Sequence, residues 1–215
     1  MTERADVAAT RLAYDTVAGD YAELLADELA TKPLDRAILA AFAEEVTAAG
    51  GGAVADLGCG PGRVTQHLAG VGLRAFGVDL SPGMVEVARR RHPTLRFEVG
   101  TMAALDIADA SLAGAVAWYS IIHTPIERQN ELFAEFARVV RPGGWLLLAF
   151  QVGDEVVKLR HAYGHDIELD AYRQSPERIR GLLQGAGFAE FARLEREPVV
   201  PEKSRQAYVL AVRSQ

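Results

Sequence analysis

VADLGCGPGRVTQHL, residues Val54 to Leu68, is an apolar run broken by three glycines and followed by a helical pattern. It predicts a strand, a tight turn and a helix. Gly58, Gly60 and Gly62 permit positive φ angles and let a ligand approach the backbone closely, while Asp56 and Cys59 sit where the strand ends. Unpaired amides at the start of the following helix can hold a carboxylate, phosphate or hydroxyl without a cationic side chain. Spacing narrows the choice of ligand. A dinucleotide fingerprint needs G-x-G-x-x-G, and the position of its third glycine is Arg63; no Lys-Ser or Lys-Thr pair completes a triphosphate loop either.

Moving outward, LRAFGVDLSPGMVEVARRR predicts a second strand ending in Asp79 and a helix begun by Ser81-Pro82. Asp79 lies about 20 residues past the glycines, where an acid at a strand end accepts hydrogen bonds from both hydroxyls of a ribose. LRFEVG predicts a third strand leading into Gly100, Thr101 and Met102 at the same cleft. AGAVAWYSIIHTPIERQN predicts a buried fourth strand ending near Ser120, then a loop before the helix ELFAEFARVV. Ligands of open α/β sheets gather outside the carboxyl ends of the strands, so Trp118, Tyr119, Ser120 and His123 are expected around the reacting centre. His123, a neutral imidazole near physiological pH, is the candidate base, with Tyr119 beside it.

Before the glycine motif, Ala5 to Leu29 reads as helix in two pieces, interrupted at Gly19-Asp20, and LDRAILAAFAEEV as an amphipathic helix packing on the sheet. Arg36 on that helix is read as a surface ion pair or as the partner of a ligand carboxylate. Beyond the helix ELFAEFARVV, Arg141 to Gly144 leads into the apolar run WLLLAFQ. Residues 152–174 alternate around Tyr163-Gly164 as a hairpin, a substrate-side insert that brings His161, Tyr163 and His165 toward the cleft mouth. A helix from Ser175-Pro176 and two closing strands complete the pattern. Residues 1–215 therefore read as one domain, with no repeat or linker dividing it.

The net charge of −6 argues against a nucleic-acid groove, and the one basic run, Arg89 to Arg91, reads as a solvated helix end. No window reaches the roughly 20 apolar residues that span a bilayer, which implies a cytoplasmic protein. Cys59 is the only cysteine, and no Cys/His cluster has metal-ligand spacing. Asp106 and Asp109 read as solvated loop acids. Oligomeric state leaves no mark on the sequence.

The DLGCGPG core resembles the first motif of class I S-adenosylmethionine-dependent methyltransferases, and the resemblance extends through most of the chain. It implies a seven-stranded, mostly parallel, doubly wound Rossmann-like sheet with an antiparallel last strand and an N-terminal helical lid, residues 1–31, and Arg141 to Gly144 resembles the turn that precedes the fifth strand, WLLLAFQ. It implies S-adenosylmethionine as cofactor and methyl transfer to a small-molecule acceptor. Tyr14 and Tyr21 resemble paired lid aromatics that fold over the cofactor, and Leu80 and Met84 resemble apolar contacts to adenine. The chain departs from the pattern at Thr101 and Met102, where many relatives carry an acid that reads the adenine amine. Rival readings are a non-catalytic S-adenosylmethionine binder on the same fold and methylation of RNA or protein.

Overall fold

Every second residue of the central strands is apolar on one face, and its neighbour is apolar on the other, so the sheet is buried on both sides. The computed structural model describes residues 4–215 and contains this sheet. β1 (Ala53–Leu57), β2 (Arg74–Asp79), β3 (Phe97–Val99), β4 (Leu112–Trp118), β5 (Val140–Gln151), β8 (Phe188–Arg196) and β9 (Gln206–Arg213) form seven strands in the order β3-β2-β1-β4-β5-β9-β8. β9 runs antiparallel to both of its neighbours, and the other pairings are parallel.

Ala115, Ala117, Leu146, Leu148 and Phe150 point to one face and pack on Phe133 and Phe136 of α6 (Gln129–Val139) and on Ile179 and Leu183 of α7 (Pro176–Gly185). Val116, Trp118, Leu147 and Ala149 point to the other, against Leu39, Phe42 and Val46 of α3 (Pro33–Ala48) and Val64 and Leu68 of α4 (Arg63–Gly70). The layers are those of a doubly wound α/β fold, in which strand ends carry the ligand site.

Two differences from the sequence reading have simple causes. Gly19 does not interrupt the N-terminal helix; α1 runs unbroken from Ala5 to Leu24, and the chain turns at Leu25 before the short α2 (Glu28–Thr31). A glycine inside a helix costs only about 1 kcal/mol, and burial of Ala13, Val17, Ala18 and Ala22 against α5 (Pro82–Arg91) and the insert outweighs it. Arg141 to Gly144 is not a turn ahead of β5 but an irregularity within it: Leu112 pairs with Val140, and Gly114 next pairs with Trp145. The insert is a separate two-stranded sheet, β6 (Val156–Ala162) and β7 (His165–Tyr172), whose Ile167 and Leu169 pack on α1.

Two buried carboxylates behave oppositely. Asp35 accepts from the Tyr208 hydroxyl at 2.7 Å and from Nε of Arg196 at 3.2 Å. Arg196 in turn holds Glu202 at 2.5 and 2.8 Å, and Lys32 joins Glu202 at 2.7 Å. Burial alone would push the Glu202 carboxyl up, but bonds from Arg196, Lys32 and the Val199 amide bring it down to about 2. Among the described residues, no cation pairs with Asp56. Oδ2 accepts from the Thr65 hydroxyl at 2.6 Å, Oδ1 has no partner, and burial pushes the carboxyl up to about 7, partly opposed by Thr65.

Two predictions follow from this contrast. Asp35→Ala should cost about 3 kcal/mol in urea denaturation, because it strands a buried guanidinium edge and a phenol; a loss below about 1 kcal/mol would mean water satisfies both. For Asp56 the folded state binds the extra proton between about 4 and 7, so stability falls as pH rises through that window and is constant above it. Asp56→Asn should remove that fall and raise the melting temperature at pH 8 by roughly 5 to 10 °C, with little change at pH 4. Parallel melting curves for the two proteins across pH would refute the assignment.

Candidate functional site

The carboxyl ends of β1, β2, β3 and β4 open into one cleft of about 930 Å³, part of it open to solvent. Gly58 has φ +76° and lies under the β4 end; a Cβ there would stand 2.3 Å from Ser120 Cβ. Only glycine allows this approach, and Ser120 seals it by donating to the Leu57 carbonyl at 2.6 Å. Gly60, φ +53°, faces space instead: the one heavy atom a Cβ would approach within 4 Å is Tyr21 Cε1, at 3.9 Å.

Asp79 ties the two loops together. Oδ2 accepts from the Gly60 amide at 2.7 Å and Oδ1 from the Ser81 amide at 2.8 Å. Burial pushes its carboxyl up to about 6, against the opposing effect of those amides. Leu80, Met84, Gly100, Thr101, Met102 and Trp118 line the cleft with it. The Thr101 hydroxyl accepts from the Ala103 amide at 3.3 Å, part of a tight turn after β3.

From the other side α1 brings Tyr14 and Tyr21, ring centroids 6.0 Å apart and edge to face. The Tyr14 hydroxyl lies 2.7 Å from Nε2 of His123, and Nδ1 of His123 lies 3.0 Å from the Asp170 carbonyl. A carbonyl only accepts, so Nδ1 carries the proton and Nε2 accepts from Tyr14. Burial holds the imidazole below the ordinary histidine range and the Tyr14 phenol well above the ordinary tyrosine range, so both are neutral at pH 7.

Other residues expected at the site lie elsewhere. Asp56 is fully buried behind the loop, held by Thr65, and forms no part of the cleft wall. Cys59 faces Val85, Ala88 and Phe97, because Gly58 and Gly60 turn the intervening side chain inward, and burial raises its thiol well above the usual range. Tyr119 has part of its ring on the cleft, but φ +56° swings its hydroxyl to Tyr208, 3.1 Å away, so the phenol belongs to the Asp35 network and is not placed for catalysis. His161 is exposed on the outer face of the hairpin, 3.0 Å from Asp166, and His165, on the α1 side, is taken by Asp20 at 2.7 Å; neither lines the cleft. Tyr163 packs on Tyr21 at 4.9 Å and backs the cleft without lining it.

Arg36 donates to the Leu29 and Ala30 carbonyls, both at 2.6 Å, and so neither pairs on the surface nor reaches the ligand end. Arg89 to Arg91 are exposed in the last turn of α5, where Arg89 and Arg91 also bond the Phe97 and Ala22 carbonyls, and Asp109 is paired with Arg138 at 2.7 Å.

Sequence reasoning missed Asp15, Asp6 and Arg128. Asp15 Oδ1 accepts from the Ser81 hydroxyl at 2.6 Å and the Gly83 amide at 2.9 Å, capping α5 from a helix 66 residues away. Its position next to Tyr14 was the only available signal. Asp6 pairs with Arg128 across the far end of the cleft.

Residues 54–144 match the family described as a methyltransferase domain. An O-methyltransferase of Penicillium expansum is 32% identical over 143 residues, 63% of this chain and 51% of that protein. A demethylmenaquinone methyltransferase of Renibacterium salmoninarum is 32% identical over 106 residues, 49% of this chain and 44% of that protein. The chain thus spans about half the length of these curated relatives. The magnesium protoporphyrin IX methyltransferase of Synechocystis PCC 6803, solved with bound S-adenosylmethionine, superposes with a TM-score of 0.73 at 19% identity over 100% of both chains. The 1,6-didemethyltoxoflavin-N1-methyltransferase of Burkholderia thailandensis superposes with 0.71 at 20% identity, over 100% of this chain and 93% of that one. The structural likeness shows the fold. The matched domain lies over residues 54–144, the stretch that carries the glycine loop, β1, β2, β3 and β4.

Proposed function

We propose that the chain transfers a methyl group from S-adenosylmethionine to an oxygen or nitrogen of a small cytoplasmic acceptor by direct displacement. The observation that carries this reading is a single cleft joining the Gly60 loop and Asp79 to the Tyr14–His123 pair. Residues at the first end fit the cofactor. The open side of Gly60 leaves room for a methionyl chain that any Cβ would occupy. Each Asp79 oxygen accepts one amide and keeps lone pairs for the two ribose hydroxyls. Tyr14, Tyr21 and Trp118 offer ring faces and edges near a carboxylate, a setting that favours a sulfonium cation over water.

S-adenosylmethionine, when bound, supplies an electrophilic methyl that carries its own leaving group. What remains for the chain is to align the acceptor, exclude water and take up a proton. In this reading α1 and the β6–β7 hairpin are the lid, since between them they supply Tyr14, Tyr21 and the carbonyl that orients His123. An acceptor hydroxyl or amine bonded to the Tyr14 oxygen gives its proton to that oxygen as Tyr14 gives its own to Nε2 of His123. The Asp170 carbonyl then steadies the imidazolium through Nδ1–H. Burial disfavours that charge, so the proton returns to solvent when the lid opens.

Calorimetry tests the cofactor half: Asp79→Ala should weaken S-adenosylmethionine binding by about 1.5 to 3 kcal/mol for each bond lost, and unchanged affinity would overturn the assignment. Affinity should rise with pH through about 6, as Asp79 ionises, and this rise should vanish in Asp79→Asn. The acceptor half is tested by S-adenosylhomocysteine release over a panel of small molecules. His123→Asn and Tyr14→Phe should each slow transfer roughly 10²- to 10⁴-fold at saturating cofactor, and the acidic limb of the pH profile, lying below the ordinary histidine range, should disappear with His123. Rates and profiles like those of the parent protein would return both residues to a packing role.

A further inference from the structure

Beyond the Tyr14–His123 pair the cleft ends at Arg128, in the short turn Ile126–Arg128 that leads into α6. Among the described residues it is the one arginine or lysine on the cleft wall, whose other formal charges are the acids Asp6 and Asp79. Its side chain is 14% exposed, and its hydrogen bond to a side chain is from Nη1 to Oδ2 of Asp6, in the first turn of α1. Among the described residues, none is a hydrogen-bond partner of the buried Nε. Glu131 stands 3.8 Å from Nε, beyond hydrogen-bond reach, and is 67% exposed; Glu127, the neighbouring residue, is exposed as well.

A guanidinium drawn out of water with a donor unanswered is unfavourable unless the site is completed by something else. A purely structural arginine would have its fork filled by backbone carbonyls, as Arg138 fills its own with the Leu105 and Ile107 carbonyls and Glu135. Arg128 instead faces the place where an acceptor must lie, five residues from His123. Planar guanidinium groups match carboxylate and phosphate oxygens in paired bonds, which orient a ligand as well as hold it. Asp6 occupies the fork with a carboxylate of the same chemistry.

We infer that Arg128 is the docking point for an oxyanion of the acceptor, a carboxylate or a phosphate, and that Asp6 is the internal carboxylate this anion displaces. The acceptor is then an acid that enters with its anionic end toward α6 and its nucleophile toward Tyr14, an orientation that rests on the methyltransferase reading. Exchange of one carboxylate for another leaves the guanidinium paired at both ends of the process, so the site never holds a bare buried cation.

Calorimetry on the full chain separates the two ideas. S-adenosylhomocysteine is titrated first, and failure to bind it counts against the methyltransferase reading. On the S-adenosylhomocysteine-loaded protein, acid and amide pairs are then compared: benzoate with benzamide, fumarate with fumaramide, and phenyl phosphate with phenol. At least one acid is expected to bind tenfold or more tightly than its neutral counterpart, and whether carboxylates or the phosphate win names the anion. Arg128→Gln should abolish the preference, and Asp6→Asn should strengthen acid binding severalfold by removing the competitor, a gain that a merely structural ion pair would not produce. Arg128→Lys, which keeps the charge without the fork, should retain part of the preference and serves if the glutamine variant does not fold. Loaded protein that shows no acid preference, a preference that survives in Arg128→Gln, or an Asp6→Asn protein that binds acids no better than the parent would overturn the inference.

Discussion

The cleft depends on one carboxylate. Asp79 sits at the end of β2 with each oxygen on a backbone amide, one from the glycine loop after β1 and one from the start of α5. The Gly58 and Cys59 amides add bonds from the glycine loop to the Val78 carbonyl, at 2.8 and 3.1 Å. Through Ser81 the connection continues to Asp15 on α1, and through the next residue, Tyr14, to His123 and the Asp170 carbonyl of β7. Hydrogen bonds, joined through the backbone between Asp15 and Tyr14, therefore run from the glycine loop across the cleft to the hairpin. Charge-assisted bonds of this kind are stronger than neutral ones, and in a low-dielectric setting they polarise one another. The cost is visible in Asp79 itself, whose ionisation is held back by burial until about pH 6.

The fold and the ligand end were legible because their signals are local. Period-two apolar residues mark β1, β2, β4 and β5 as strands, and the Gly58–Gly62 turn and Asp79 follow at fixed distances from them. What the sequence misled on was direction. Asp56, Cys59 and Tyr119 belong to the right segments, yet each side chain leaves the cleft for a partner elsewhere: Thr65, the α5 core and Tyr208. A neighbour in sequence shares a location but not an orientation, and at φ +56° Tyr119 points where no periodicity would put it. His161 fails for a related reason, since one residue of register decides which face of a hairpin a side chain takes, while His165 takes the inner face but is held by Asp20 of α1.

Asp15 and Arg128 show the converse. Neither lies in a recognisable motif, and each matters only because α1 folds back over strand ends that follow it by many residues. Arg36 looked better placed than either, and it is consumed by two carbonyls at the end of α2. Cations near a glycine loop are therefore poor guides by themselves; what distinguishes Arg128 is a donor left over after folding, which no linear pattern records.

The two ends of the cleft also differ in how far apart in the chain their parts lie. Gly60 and Asp79 are separated by 19 residues, whereas Tyr14 and His123 are separated by 109 and His123 and Asp170 by 47. Closing long loops carries an entropic penalty before any contact rewards it, and contacts of that type tend to open at lower free energy than the strands beneath them. The βαβ unit around Gly60 and Asp79 is thus nearly self-contained, while the far end of the cleft is a clasp made from α1 and the β6–β7 hairpin. Native-state hydrogen exchange would see this as amides of α1 and β7 exchanging ahead of those in β1 and β4. A clasp of that kind can be rebuilt in sequence without disturbing the sheet, which, on the proposed methyltransferase reading, lets one cofactor site be paired with many different acceptor chambers.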